Sequence, residues 1–185
     1  MASWAIATTC KDVPEVVLAF VAHHLEAGAS EIFLFFDDPL DPSADLVDGL
    51  DRVRVFRCDA AHWTDLGTSR PRSHLRRQTM NADHALGLSG AEWIGHIDVD
   101  EFLWSAGTFG DVLDRRSADA VRVLPAERIF LSIPPRGGVV FEGGFKLRMP
   151  NRRAREIFGP YGPVMFRGFQ GHNIGKTFLR TSVPG

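Results

Sequence analysis

The chain has 185 residues, of which 44% are hydrophobic and 24% are charged. These fractions are typical of a globular protein and exclude a disordered, collagen-like or coiled-coil chain. The net charge of −2 gives no general attraction for nucleic acid, so we expect no nucleic-acid partner. The charge is unevenly distributed, since residues 1–133 carry 12 Lys+Arg and 21 Asp+Glu (net −9) whereas residues 134–185 carry 9 and 2 (net +7). We expect one domain, 1–185, with an acidic body (1–133) and a basic tail (134–185) rich in Gly and Pro.

The two cysteines and the apolar runs indicate where the chain resides. Cys10 and Cys58 each lie inside an apolar segment, which predicts two buried thiols rather than a disulfide. The longest apolar run, Val16–Ala22, is far shorter than the roughly 20 residues that cross a bilayer. The N-terminus lacks the basic and apolar regions of a signal peptide. We therefore expect a cytoplasmic chain without a transmembrane segment.

Strand and helix patterns alternate along the chain. Short apolar or alternating runs predict strands at Trp4–Thr9, Glu31–Phe36, Arg52–Cys58, Trp93–Ile97 and Ala120–Leu124. Helical periodicity predicts helices from Pro14 to just before Gly28, at Arg72–Leu88 and at Phe109–Arg116. Beyond residue 133 we expect a hairpin in Val139–Met149 that turns at Gly143-Gly144, and a last strand at Lys176–Thr181. This order predicts an α/β fold, a Rossmann-like sheet of mainly parallel strands with helices on both faces.

Acidic residues follow three of the predicted strands. They are Asp12 after the first strand, Asp37 and Asp38 after the second, and Asp98 and Asp100 after the fourth. Ligands of such sheets bind outside the carboxyl ends of the strands. Two carboxylates at spacing i and i+2 offer the oxygen ligands that Mg²⁺ or Mn²⁺ prefers, and such a cation neutralises charge on a departing diphosphate. The sequence thus predicts a cation and phosphate site after the fourth strand.

Several segments of residues 4–104 match the motifs of one known family. They are Lys11–Pro14, Val21–His24, Gly28, Ile32–Asp38, Arg77-Gln78 with Asn81, and Trp93–Leu103, which contains Asp-Val-Asp-Glu-Phe. In these segments the chain resembles glycosyltransferases of the GT-A fold, in the broad family 2 group, and within it the bacterial branch with that acidic motif. The segment Gly175–Arg180 is similar to a late strand of the same family.

The resemblance implies an activity and a set of site residues. The activity is metal-assisted, inverting transfer of a sugar from a nucleotide diphosphate sugar, which we expect to be a UDP-sugar, to a glycan, lipid-linked or small-molecule acceptor hydroxyl. The implied cofactor is Mn²⁺ or Mg²⁺. The residues implied to bind the nucleotide sugar are Thr8, Thr9, Asp12, Asp37, Asp38, Arg77, Gln78 and Asp98. The residues implied to bind the metal are Asp98 and Asp100.

The chain departs from the family pattern in its last third. Glu127 lies in a segment where relatives often carry a Trp-containing motif, and it is a candidate catalytic base, with Glu142 as its rival. Relatives place a metal-binding His beyond the last strand, and His172 is the late substitute in this chain. We therefore expect the sequence to be a truncated transferase. His23 and His24 are adjacent and point to different faces of a helix, so at least one of them is expected to be a packing or surface residue.

Other classes fit the sequence less well. Gly175-Lys176-Thr177 resembles part of a phosphate-binding P-loop, but Gln170 stands where that motif needs Gly. No Gly-rich dinucleotide motif follows the first strand. A phosphatase would carry its pair of aspartates on an earlier strand, and a nucleotidyltransferase a Gly-rich basic loop after the first strand. A nucleotide-sugar-binding or partner-binding fragment without transfer activity remains an alternative.

Overall fold

The computed structural model describes residues 1–129, 144–169 and 174–182. The chain divides into two compact units, the first formed by Met1–Val121 with Thr177–Gly185 and the second by Arg122–Lys176. The strands are β1 (Trp4–Cys10), β2 (Glu31–Phe36), β3 (Val53–Arg57), β4 (Trp93–His96), β5 (Ala120–Val123), β6 (Glu127–Ile129), β7 (Gly144–Lys146) and β8 (Lys176–Arg180). The α-helices are α1 (Pro14–Glu26), α2 (Ser43–Val47), α3 (Ala60–Asp65), α4 (His74–Leu88), α5 (Phe109–Asp114) and α6 (Asn151–Phe158).

The central sheet has six strands in the order β3-β2-β1-β4-β8-β5. The pairs β1–β2, β2–β3 and β1–β4 are parallel, and β8 runs antiparallel to β4. The chain moves from β1 through β2 to β3 on one side of β1 and then places β4 on the other side. The strand order therefore reverses between β1 and β4, which is where ligands of open α/β sheets bind.

Side-chain alternation puts helices on both faces of this sheet. Successive residues of a strand point to opposite faces. Ala5 belongs to the core cluster that includes Ala85 of α4, whereas its neighbour Trp4 packs edge-on against Phe109 of α5, with ring centroids 5.2 Å apart. All of β2 except Glu31 is fully buried, as expected for a strand covered on both faces. The α/β sheet of mainly parallel strands that the sequence predicts is thus confirmed.

The helices begin at residues that suit a helix N-terminus. Pro14 is the first residue of α1, where the missing N–H is not needed. The side chains of Asp59, Ser73 and Thr108 accept hydrogen bonds from backbone N–H groups in the first turns of α3, α4 and α5. Gly28 follows α1 with φ of +95°, a left-handed conformation that favours glycine.

The second unit contains the antiparallel pair β6–β7, α6, and a 3-10 helix at Gly159–Val164. Gly144 lies in β7 and pairs with Ile129 of β6, so the prediction of a turn at this residue is wrong. The other residue of the predicted turn, Gly143, lies outside the described residues.

Two further expectations can be compared with the structure. Cys10 and Cys58 are both free and buried, as predicted. Within the described residues, no helix combines the length and the apolar character needed to cross a bilayer.

Candidate functional site

The loops at the carboxyl ends of the parallel strands bring the predicted acidic residues to one edge of the sheet. Asp12 follows β1, Asp37 and Asp38 follow β2, and Asp98 and Asp100 follow β4. These strands are neighbours in the sheet, and β1 and β4 border the point where the strand order reverses. The edge is therefore the candidate functional site.

The loop after β4 holds one aspartate in a hydrogen-bonded turn and leaves the other exposed. The Asp98 backbone N–H donates to Glu101 Oε2 (3.0 Å), and the Glu101 N–H donates to the Asp98 carbonyl oxygen (2.9 Å). Gln78 Nε2 of α4 donates to Asp98 Oδ1 (3.2 Å). Asp100 is exposed, whereas Val99 between the two aspartates is buried. The turn thus presents the Asp100 carboxylate to solvent and keeps Asp98 in contact with α4, so two predicted site residues, Gln78 and Asp98, are brought together.

Two histidines of α1 hold the end of this loop. His23 Nε2 donates to the Leu103 carbonyl oxygen (2.7 Å), and His24 Nε2 accepts from the Leu103 N–H (3.1 Å). Because its Nε2 is an acceptor, His24 carries its proton on Nδ1 and donates it to the Phe20 carbonyl oxygen (2.8 Å). The Phe102 ring stacks on His24 at a centroid distance of 6.1 Å. We call this arrangement the histidine clamp.

The clamp requires a neutral His24. Burial lowers its pKa to about 4; the hydrogen bond to Phe20 opposes the shift and the charge of His23 adds to it. His24 is completely buried. It is therefore a packing residue, one of the two roles that the sequence predicted for at least one of the pair. The shared contact of both histidines with Leu103 was not predicted, and no signal in the sequence indicates it, because Leu103 lies about 80 residues further along the chain.

The Asp37 carboxylate binds two arginines. Arg77 Nε and Nη2 donate to its two carboxylate oxygens (2.7 and 2.9 Å), and Arg70 Nη2 lies 3.0 Å from Oδ1. Burial by itself raises the pKa of Asp37, but the hydrogen bonds and charges of Arg77 and Arg70 outweigh it and hold the pKa below its usual value. Arg77 Nη1 also donates to the carbonyl oxygens of Pro71 and Arg72. The geometry gives the buried pair Asp37–Arg77 the role of fixing the loop before α4.

A cavity of about 710 Å³ opens beside this pair. Its wall combines cations, carboxylates and the buried Trp63 ring, whose indole N–H donates to the Cys58 carbonyl oxygen (3.0 Å). Asp38 and Asp59 on its rim cap the backbone N–H groups of Leu40 and His62. The lining residues all follow β1, β2 or β3 or lie on α3 and the loop after it: Lys11, Asp37, Asp38, Pro39, Cys58, Asp59, Ala60, Trp63, Thr64, Thr68, Ser69 and Arg70.

Asn81 of α4 connects the ends of two strands beneath the cavity. Its Nδ2 donates to Thr9 Oγ1 (3.0 Å) and lies 3.7 Å from Cys58 Sγ, while its Oδ1 lies 3.0 Å from His62 Nε2. Asn81 is completely buried, and so is Thr8, whose Oγ1 has no hydrogen-bond partner among the described residues. Thr8 and Thr9 therefore contribute to the buried base of the edge rather than to its exposed surface.

Four predicted residues remain, of which Asp12 follows β1 at the same edge. Asp12 is exposed and its Oδ1 accepts from the Val13 N–H (2.7 Å). Glu127 belongs to the second unit, where its carboxylate lies 2.5 Å from Lys146 Nζ. Glu142 and His172 lie outside the described residues, so their predicted roles stay predictions.

The donor atoms at the edge suit a hard divalent cation. Asp98 and Asp100 offer carboxylate oxygens from one turn, and Asp100 is open to solvent. No cluster of three or more His, Cys, Asp or Glu side chains suited to a metal occurs among residues 1–129, 144–169 and 174–182. One or two carboxylates combined with substrate phosphates and waters is the usual environment of protein-bound Mg²⁺. The pair therefore fits a cation that shares its coordination with a phosphorylated ligand.

Comparison with known proteins adds no relative. No protein-family model matches the chain, and no match was found among curated proteins.

Proposed function

We propose that this chain is a metal-dependent glycosyltransferase of GT-A type, which transfers a sugar from a UDP-sugar to an acceptor hydroxyl. One observation carries the proposal: the loop Asp98–Glu101 follows β4 at the point where the order of parallel strands reverses. Two carboxylates at a ligand-binding edge are suited to a diphosphate and its cation. The resemblance of residues 4–104 to family 2 transferases indicates the class of reaction, which is sugar transfer from a nucleotide diphosphate sugar.

The exposed and buried groups of the edge take different roles in this proposal. Asp12 and Asp38 bind the nucleoside part of the donor, and Asp38 lines the cavity together with Lys11 and Arg70. Asp98 faces the ribose and diphosphate, and Asp100 holds Mn²⁺ or Mg²⁺. The bound cation supplies charge neutralisation for the departing diphosphate.

The buried groups position these ligands. Gln78 fixes the Asp98 carboxylate by donating to Oδ1 at 3.2 Å. Asp37 holds Arg70 at the cavity, because it accepts from Arg70 and Arg77 together. The histidine clamp fixes Leu103 and with it the end of the loop that carries Asp100. A preformed edge of this kind binds its ligand without first ordering a loop.

Titration calorimetry with UDP, with and without Mn²⁺, tests the proposal. We expect UDP binding that requires the cation, and loss of this metal-dependent UDP binding in Asp100→Ala. Asp83→Ala is the matched control, since Asp83 is exposed on α4 and carries the same charge. Binding of UDP that is equal with and without Mn²⁺ would contradict the role of Asp100.

Release of UDP from UDP-sugars in the presence of Mn²⁺ separates a transferase from a binding fragment. A transferase of this type slowly passes the sugar to water when no acceptor is present, so free UDP accumulates. Metal-dependent UDP binding without any release from a panel of UDP-sugars would favour the alternative of a nucleotide-sugar-binding fragment.

A further inference from the structure

The second unit is strongly basic. Residues 122–176 contain ten Lys and Arg but three Asp and Glu, a net charge of +7. Several of its large apolar side chains are more than half exposed, namely Phe145, Leu147, Ile157, Tyr161, Val164 and Phe166. Scattered exposed apolar residues are ordinary, but this number in so short a basic segment marks an interaction surface.

The apolar side chains of β7 and of Leu147, which follows it, point away from the interior of the unit. Phe145 and Leu147 are 70% and 69% exposed, whereas Lys146 between them points to the other side. Lys146 Nζ lies 2.5 Å from a Glu127 carboxylate oxygen and 5.2 Å from the centre of the Phe158 ring. The usual arrangement is inverted, since a charged side chain is packed inside and two apolar ones face out.

Two arginines lie close to β7, Arg148 directly after Leu147 in the chain and Arg167 opposite Met149. Arg148 and Arg167 line a cavity of about 430 Å³ together with Met149, Pro150 and Asn151, and none of these lining residues is acidic. The Met149 N–H donates to the Arg167 carbonyl oxygen (3.0 Å), and Asn151 Oδ1 accepts from the Arg167 N–H (2.7 Å). Arg167 has φ of +56°, a left-handed conformation that is unfavourable for a residue with a Cβ. The hydrogen bond that the Arg167 N–H donates to Asn151 Oδ1 holds it in place.

Phe166 completes this group. The guanidinium carbon of Arg167 lies 5.4 Å from the centre of the Phe166 ring, which is itself more than half exposed. We call Phe145, Leu147, Arg148, Phe166 and Arg167 the basic-apolar surface.

We propose that the basic-apolar surface docks onto a membrane that contains anionic lipids. Arg148 and Arg167 bind headgroup phosphates, because guanidinium groups match phosphate oxygens in a bidentate manner. Phe145, Leu147 and Phe166 enter the boundary between headgroups and acyl chains, as the apolar face of an interfacial segment does. A soluble polyanion satisfies the arginines but leaves the aliphatic side chain of Leu147 in water, so the combination favours a lipid surface. The inference concerns the second unit and does not depend on the proposed transferase activity.

Co-sedimentation of the full chain with lipid vesicles tests this proposal. We expect binding to vesicles of phosphatidylcholine mixed with phosphatidylglycerol, and much weaker binding to phosphatidylcholine alone. The double variant Arg148→Gln/Arg167→Gln should weaken binding to the anionic vesicles about 25-fold, because each basic residue near such a surface contributes roughly fivefold. The double variant Phe145→Ser/Leu147→Ser should weaken it about tenfold or more, since burial of the two side chains is lost.

Matched variants in the first unit control for charge and for apolar surface. Arg115→Gln/Arg116→Gln removes two exposed arginines, and Leu46→Ser/Leu50→Ser removes two exposed leucines. Both should bind the anionic vesicles as the unmodified chain does. Far-UV circular dichroism checks that each variant is folded, because all four tryptophans lie outside the second unit. Leu147→Gln alone replaces the serine pair if that pair does not fold.

Three results would overturn the proposal. The first is no binding to anionic vesicles. The second is full binding by the serine pair, or by Leu147→Gln where it replaces the pair, which would indicate a purely electrostatic surface. The third is equal loss in the first-unit controls, which would indicate a non-specific effect of the substitutions. If the chain binds heparin more strongly than vesicles, and the serine pair binds heparin equally well, the surface would instead be assigned to a soluble polyanion.

Discussion

The histidine clamp makes the stability of the protein depend on pH in a window set by His24. The unfolded chain protonates this histidine near its ordinary pKa of 6.5, whereas burial keeps the folded pKa at about 4. Between these values the unfolded state binds more protons, so the free energy of unfolding falls as the pH falls from about 6.5 to about 4. One pKa unit is worth about 1.4 kcal/mol, so the complete loss is about 3 kcal/mol, of which about 2 kcal/mol has occurred at about pH 5.

Replacement of His24 by Gln isolates this contribution. A glutamine oxygen is able to accept from the Leu103 N–H but does not titrate, so the variant keeps an acceptor and loses the proton linkage. His74→Gln is the matched control, because His74 is exposed on the first turn of α4. We expect His24→Gln to be less stable than the unmodified chain at about pH 7.5, since the packing of the imidazole on Phe20 and Phe102 is lost. Between about pH 7.5 and pH 5, its free energy of unfolding should fall by about 2 kcal/mol less than that of the unmodified chain.

Urea unfolding followed by tryptophan fluorescence measures these free energies. Trp4, Trp63 and Trp93 are almost completely buried, so unfolding changes their environment. Carboxylates also lose stability in acid, but they do so equally in both chains, and the difference between the chains reports His24 alone. Identical pH dependence of the unmodified chain and His24→Gln would refute the reasoning.

Two further predictions concern the scaffold. Arg77→Met should lower the free energy of unfolding, measured by urea unfolding, by about 3 kcal/mol. This is the low end for a broken buried pair, because Arg70 stays beside Asp37. The double variant Arg77→Met/Asp37→Asn should lose less free energy of unfolding than the two single variants lose together. Gly95→Ala should lower the free energy of unfolding by about 1–3 kcal/mol in the same assay, because its Cβ would lie 2.7 Å from the Phe178 ring. Gly107→Ala is the control, since its Cβ meets no atom within 4 Å and should change the free energy little. Equal effects of the two alanines would contradict the packing argument.

The sequence predicts the main strands and helices of the first unit well, because the pattern of apolar residues determines them. The run Glu31–Phe36 is a strand with the predicted bounds, and Pro14 begins α1 as predicted. The short helices α2 and α3 were not predicted, although α5, which is as short as α3, was. Helix α6 was not predicted either, because it is highly charged and buries only Ala154.

The candidate site is predicted unevenly for a similar reason. The Asp98-Val99-Asp100 motif is local, and it lies in a turn after a strand as its spacing indicates. The Asp37–Arg77 pair joins residues 40 positions apart, and such a pairing has no signature in a single sequence. The pairing shows that Arg77 uses most of its donors inside the fold, which the resemblance alone did not indicate.

The polar groups of the edge fall into two sets, and the division decides which substitutions report on function. Asp37, Asn81 and His24 are buried, and their hydrogen bonds hold loops in place. Replacing any of them removes hydrogen bonds that hold the loop conformation. A loss of ligand binding in such a variant therefore does not identify a ligand contact. Asp38 and Asp100 are exposed. Removing the Asp100 carboxylate removes little from the folded state, whereas removing that of Asp38 also removes the hydrogen bond that it accepts from the Leu40 N–H. A loss of UDP or cation binding in Asp100→Ala, with unfolding unchanged, therefore reports the chemistry of the site itself.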